Sequence, residues 1–263
     1  MTGKTVLQAL APMLGGLLLT ACVTTSTGGF NADVSEERAL QDYLRLSAGY
    51  LEQGDLVNAK RHLNNAIAID ANNSEAFGIW GLVYAREGEA TLAEQNFRRA
   101  LRLDAGNSQA RNNFAAFLFA SRRFQDAYEQ LAIVVQDTAY AARPQAFENM
   151  GLSALRLERR DDAENAFNRA LQLNGNLPRS SLELTDINLQ KENVVQARAY
   201  YQNFLTVSQY LNVAPSARSL WIGIQLYKAL GNERLLQEYG ETLEARFADS
   251  QEVKLYRQSA SDE

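Results

Sequence analysis

The chain is poor in the residues on which protein chemistry most often depends. Of 263 residues one is Cys and one is His. That excludes a Cys/His zinc cluster and an internal disulfide, and it leaves little for a His-assisted nucleophile. Stability must therefore come from packing. Only four residues are Pro, and long alternating Val/Ile/Thr runs are missing, so the pattern points to helices. A cationic excess is missing too: 26 Lys+Arg face 31 Asp+Glu. Such a chain offers no basic footprint for a phosphate backbone, which argues against nucleic acid as a partner. What it does hold is apolar residues, 46% of the total, too many for a disordered chain.

The N-terminus reads as an address. Lys4 is the one charged side chain before an apolar, small-residue stretch ending Leu19-Thr20-Ala21-Cys22. A basic start, a short apolar run and small residues before a cut are the layout of an export signal, and the run is near the lower limit for a membrane span. The ending Leu-Thr-Ala-Cys resembles a bacterial lipobox. That resemblance implies removal of residues 1–21 and lipid modification of Cys22, with several acyl chains giving durable anchoring. Val23 follows, not the Asp that marks inner-membrane retention in lipoproteins, so the implied destination is the periplasmic face of the outer membrane. Residues 22–39, rich in Ser, Thr and Gly and then acidic, read as a flexible tether. Cleavage would remove Lys4 and no acid, making the mature chain more negative by one charge.

Self-similarity fills the remainder. Ala59, Ala93, Ala127, Ala163 and Ala197 are separated by 34, 34, 36 and 34 residues. Twelve positions before each stands a small residue: Ser47, Gly81, Ala115, Gly151, Thr185. Four positions after each stands a large apolar one: Leu63, Phe97, Leu131, Phe167, Tyr201. Two helices can approach closely where such small and large positions face each other. The pattern resembles the tetratricopeptide repeat (TPR). It implies an all-α, right-handed superhelical solenoid of about six helix-turn-helix units, at 40–73, 74–107, 108–143, 144–177, 178–215 and 216–250. The sixth is irregular, and 251–263 reads as a last half-helix and frayed tail. Pro144, Pro178 and Pro215 fall at unit boundaries, where a helix start tolerates the missing donor.

In such a solenoid the first helix of each unit lines a concave face, and binding is its ordinary use. The frame places Leu44, Ala48 and Leu51 there in unit one, and Gly78, Leu82 and Ala85 in unit two. Unit three supplies Asn112, Ala116 and Phe119; unit four supplies Glu148, Leu152 and Leu155. This early groove is mainly apolar and suits a hydrophobic or amphipathic peptide rather than a charged tail. Asn112 and Glu148 could hydrogen-bond a bound backbone or cap local groups equally well. His62 has no second ligand or nucleophile beside it and reads as a solvated helix residue. Trp80 and Trp221 read as core. No catalytic residue, metal site or cofactor is expected, apart from the covalent lipid on Cys22.

Three segments carry a closer resemblance. Asn112-Asn113-Phe114 with Phe117-Leu118, then Ala127-Tyr128-Glu129, then Phe147-Glu148-Asn149-Met150-Gly151-Leu152 follow the lipobox in order. They resemble the third and fourth repeats of the PilF/PilW pilotin family, the outer-membrane lipoproteins of type IV pilus biogenesis. The likeness extends from Cys22 to around Phe247. It implies a non-enzymatic protein, monomeric by itself, that binds the pilus secretin subunit and promotes its outer-membrane localisation and multimerisation. A different cargo, murein hydrolases or other envelope assembly factors, is the alternative. Ser47, Ala115 and Thr185 depart from Gly at the helix crossing, which is sterically mild.

Overall fold

The computed structural model describes residues 32–261; the signal segment, Cys22 and the tether as far as residue 31 lie outside them. The described residues form thirteen α-helices and no strand. In order these are α1 (Ala32–Glu52), α2 (Leu56–Ile69), α3 (Ser74–Glu87), α4 (Ala90–Leu103), α5 (Ser108–Ala120) and α6 (Phe124–Val134). They continue with α7 (Arg143–Arg156), α8 (Arg160–Leu173), α9 (Pro178–Gln190), α10 (Val194–Tyr210), α11 (Ala217–Ala229), α12 (Glu233–Arg246) and α13 (Gln251–Ser261). Consecutive helices pack as pairs from α1/α2 to α11/α12, and the first helices of neighbouring pairs also meet, building a TPR solenoid. None of the described helices is long and apolar enough to cross a membrane.

The period seen in the sequence is the geometry of one crossing. A Cβ on Gly81 would lie 2.7 Å from the Phe97 ring, and one on Gly151 would lie 2.7 Å from the Phe167 ring. Backbone and ring are therefore in direct contact. Where the small position is Ser47 or Ala115, the facing residue is the smaller Leu63 or Leu131, and all four are buried. Ser47 also ties the pair together, its Oγ donating to the Ala59 carbonyl at 3.1 Å. Thr185 breaks the size rule by standing twelve positions before Ala197 in the unit of Tyr201. The tyrosine ring resolves this by leaning into the next unit, where a Cβ on Gly223 would strike its hydroxyl.

A second signature recurs at the turn inside every pair. Gly54, Gly88, Arg122, Glu158, Glu192 and Gly231 all have positive φ, between 58° and 80°. The amide following each donates to a carbonyl five residues back at 2.8–2.9 Å, from Asp55 to Tyr50 through Asn232 to Tyr227. This closes the last turn of the first helix and reverses the chain. Asp55, Asn73, Asn107 and Asn232 then cap the helices that follow through their side-chain oxygens.

Four expectations change. Helix α1 starts at Ala32, inside the segment read as tether, and carries Leu40 into the first core beside Leu44 and Leu63. Residues 251–261 form a complete helix, with Val253 fully buried and Tyr256 set against Gly240, so this segment covers the end of the solenoid. His62 is 8% exposed, stacked on Tyr50 at 5.4 Å and tilted against Tyr43 at 5.8 Å. It fills the seam of the first pair as an aromatic would. Trp80 and Trp221 are half-buried at the edges of their clusters.

Candidate partner-binding groove

The first helices α1, α3, α5, α7, α9 and α11 line one face of the solenoid, and three depressions follow one another along it. The first, of about 390 Å³, has Ala48, Leu51, Gly78, Ile79 and Leu82 in its wall, with Glu52, Glu75, Gln109 and Asn113 also lining it. A Cβ on Gly78 would come within 3.1 Å of the Ala110 Cβ, so α3 and α5 approach closely at the floor. The surrounding protein desolvates Glu75 and raises its carboxyl above the ordinary value. The second depression, of about 130 Å³, is built from Ala116 and Phe119 on α5 and Asn149 and Leu152 on α7, with Arg179 also lining it.

The third depression differs in character. It holds about 380 Å³ and contains Leu155 and Ile187, but Glu158, Arg160, Glu183, Asp186 and Arg218 also line it, with Gln190. The Arg218 guanidinium forks onto both oxygens of Glu183 and reaches Asp186 at 2.9 Å, fastening α11 to α9. The hydrogen bonds that Arg218 donates to Glu183 raise its pKa against the opposing effect of burial. Apolar floor therefore gives way to a charged end along one face.

Eight of the twelve groove residues expected from the sequence line these depressions: Ala48, Leu51, Gly78, Leu82, Ala116, Phe119, Leu152 and Leu155. Four have other places. Leu44 is 1% exposed in the core between α1 and α2, one helical turn off the groove. Ala85 packs beside Phe97 and Phe114. Asn112 is half-buried with its side-chain oxygen unpartnered, and its neighbour Asn113 takes the groove position instead. Glu148 is spent on the fold: its Oε2 accepts from the Ser180 amide at 3.0 Å and the Ser180 hydroxyl at 2.7 Å, binding α7 to the first turn of α9. Glu183, Asp186 and Arg218 were missed. Carrying the unit-one frame of Leu44, Ala48 and Leu51 into unit five would have reached Asp186.

Comparison with known proteins agrees with this architecture. The tetratricopeptide repeat family model matches residues 144–177, the α7/α8 pair. The type IV pilus assembly protein PilF of Pseudomonas aeruginosa is 33% identical over 240 residues, 91% of this chain and 93% of that protein. The solved structure of Pseudomonas aeruginosa PilF superposes with a TM-score of 0.80 at 32% identity, covering 87% of this chain and all of that one. The crystal structure of PilW, a type IV pilus biogenesis factor, gives a TM-score of 0.68 at 22% identity over 82% of this chain and 97% of that one, a likeness of fold. On its identity to PilF across most of both sequences, the chain belongs to the type IV pilus biogenesis family of TPR proteins.

Proposed function

We propose that this chain is a pilotin: a lipoprotein anchored through Cys22 at the periplasmic face of the outer membrane, which binds the pilus secretin subunit and promotes its localisation and multimerisation. Membership of a pilus biogenesis family supports the cellular process. The observation that carries the binding step is the apolar floor running from Leu51 through Leu82 to Phe119 and Leu152. Such a floor holds an amphipathic segment by its apolar side chains while the polar rim fixes its direction. The lipid supplies the destination and the groove supplies the grip, so two separable parts of one chain perform the escort.

The test is made in the native host. Deleting the gene should abolish detergent-resistant secretin multimers or leave them in the inner membrane; normal multimers in the outer membrane would reject the reading. Leu82→Arg and Phe119→Arg should keep the helical fold yet weaken secretin capture, because each forces a charge against an apolar ligand. Cys22→Ala should still bind secretin but lose outer-membrane targeting.

A further inference from the structure

Helix α10 runs 17 residues where α2, α4 and α8 run 14. Its added turn and the connection after it frame a pocket of about 330 Å³ away from the three groove depressions. Phe204 and Leu205 on α10, Val213 and Pro215 in the connection and Leu220 on α11 form its apolar walls, and no charged side chain lines it. Ser208 also lines this pocket. It is 7% exposed, and its Oγ is buried without a hydrogen-bond partner. Other buried hydroxyls nearby are satisfied: Thr185 donates to the Ser181 carbonyl at 2.8 Å and Tyr201 to the Ser219 carbonyl at 3.0 Å. Val213 of its wall is 46% exposed, and Tyr210 and Leu211, which precede it in the chain after Ser208, are 75% and 45% exposed.

We propose that this pocket receives an aromatic side chain with a hydrogen-bonding tip, the indole of Trp or the phenol of Tyr, presented on an uncharged apolar segment of a second protein. The chemistry of the walls selects the occupant. A charged group would be stripped of water with no opposite charge to pair it, since Gln209, Ser219 and the tyrosines that also line the pocket are neutral. An aliphatic side chain would fill space but leave the Ser208 hydroxyl unpaired, whereas an indole N–H or phenol O–H satisfies it. Aromatic anchors in desolvated sockets are the usual energetic centres of protein interfaces, and the pocket volume is ample for one ring. The exposed apolar rim requires a chain on either side of the anchor rather than a free small molecule.

The probe is N-acetyl-L-tryptophanamide, titrated into the purified protein and followed by amide chemical shifts, beside its 1-methylindole analogue and N-acetyl-L-leucinamide. Saturable shifts confined to the end of α10, the connection and the start of α11 are expected, with roughly 5-fold weaker binding of the methylated analogue, which lacks the donor. Ser208→Ala should abolish that discrimination while leaving the methylated probe's binding unchanged. Equal binding of all three probes, shifts centred on the groove of α1, α3 and α5, or discrimination that survives Ser208→Ala would each overturn the proposal. So would the same shifts produced by raising protein concentration alone, since a second copy would then be the occupant.

Discussion

Replacing Gly81 by Ala opposes two effects of known sign. An exposed helix would gain about 1 kcal/mol from the substitution, because Ala orders its backbone at lower entropic cost than Gly. Here the new methyl would lie 2.7 Å from Phe97, a ring that is fully buried, and overpacking of that kind costs about 1–3 kcal/mol. Repulsion should win, leaving Gly81→Ala about 1 kcal/mol less stable. Phe97→Leu alone should also cost about 1–1.5 kcal/mol, since it leaves a void beside Gly81. The two together rebuild the Ala115/Leu131 crossing of the third pair, which is closely buried in the same chain. The methyl then occupies the void, the helix gain is recovered, and the double variant should lie within about 1 kcal/mol of the parent. A favourable coupling of about 1–2 kcal/mol is thus expected in the cycle, read from urea unfolding by far-ultraviolet circular dichroism. Additive single effects, or a Gly81→Ala protein more stable than the parent, would refute the account of the repeat given above.

Four further outcomes follow from individual positions. Glu192 holds the left-handed turn conformation at φ 58°, so Glu192→Gly should stabilise by about 0.5 kcal/mol and Gly88→Ala, at φ 80°, should destabilise by about 1 kcal/mol, both measurable as melting shifts in calorimetry. Glu148→Ala removes both bonds to Ser180 and should cost about 1.5–3 kcal/mol, with faster hydrogen exchange concentrated at the start of α9; uniform acceleration along the chain would contradict the local role. Burial, and then the neighbouring Tyr239, raises the Tyr201 phenol pKa. The folded state therefore holds that proton more tightly, so its contribution is intact below the unfolded value and declines as pH rises above about 10, where the unfolded chain ionises. Unfolding midpoints measured across roughly pH 9 to 11 should fall less steeply for Tyr201→Phe than for the parent, and identical slopes would show that the phenol does not govern alkaline stability.

How far the sequence reveals this protein depends on whether a feature repeats. The crossing pairs repeat at a near-constant spacing and each is a direct steric relation, Gly81 with Phe97 or Gly151 with Phe167, so the period alone exposes the architecture. The αL turns repeat as faithfully, yet three are occupied by Gly and three by Arg122, Glu158 and Glu192. Residue identity hides them because hydrogen bonds and the packed pair impose the conformation on side chains that do not favour it. Groove positions are legible where they follow the frame, as with Ala48, Leu82 and Leu152. They fail where a neighbouring pair claims the side chain: Glu148 is taken by Ser180 in the next unit, a partner 32 residues away that no local pattern identifies. His62 fails for the same reason in reverse. Its lone occurrence and polar character suggest solvent, but two tyrosines of α1 provide stacking surfaces that only the paired helices bring together. The socket beside Ser208 has no periodic counterpart at all, because it arises from a departure in length in one unit. It is in such departures from the repeat that a solenoid acquires surfaces its neighbours lack, and sequence period, which locates the common scaffold, reports them only as a change in spacing.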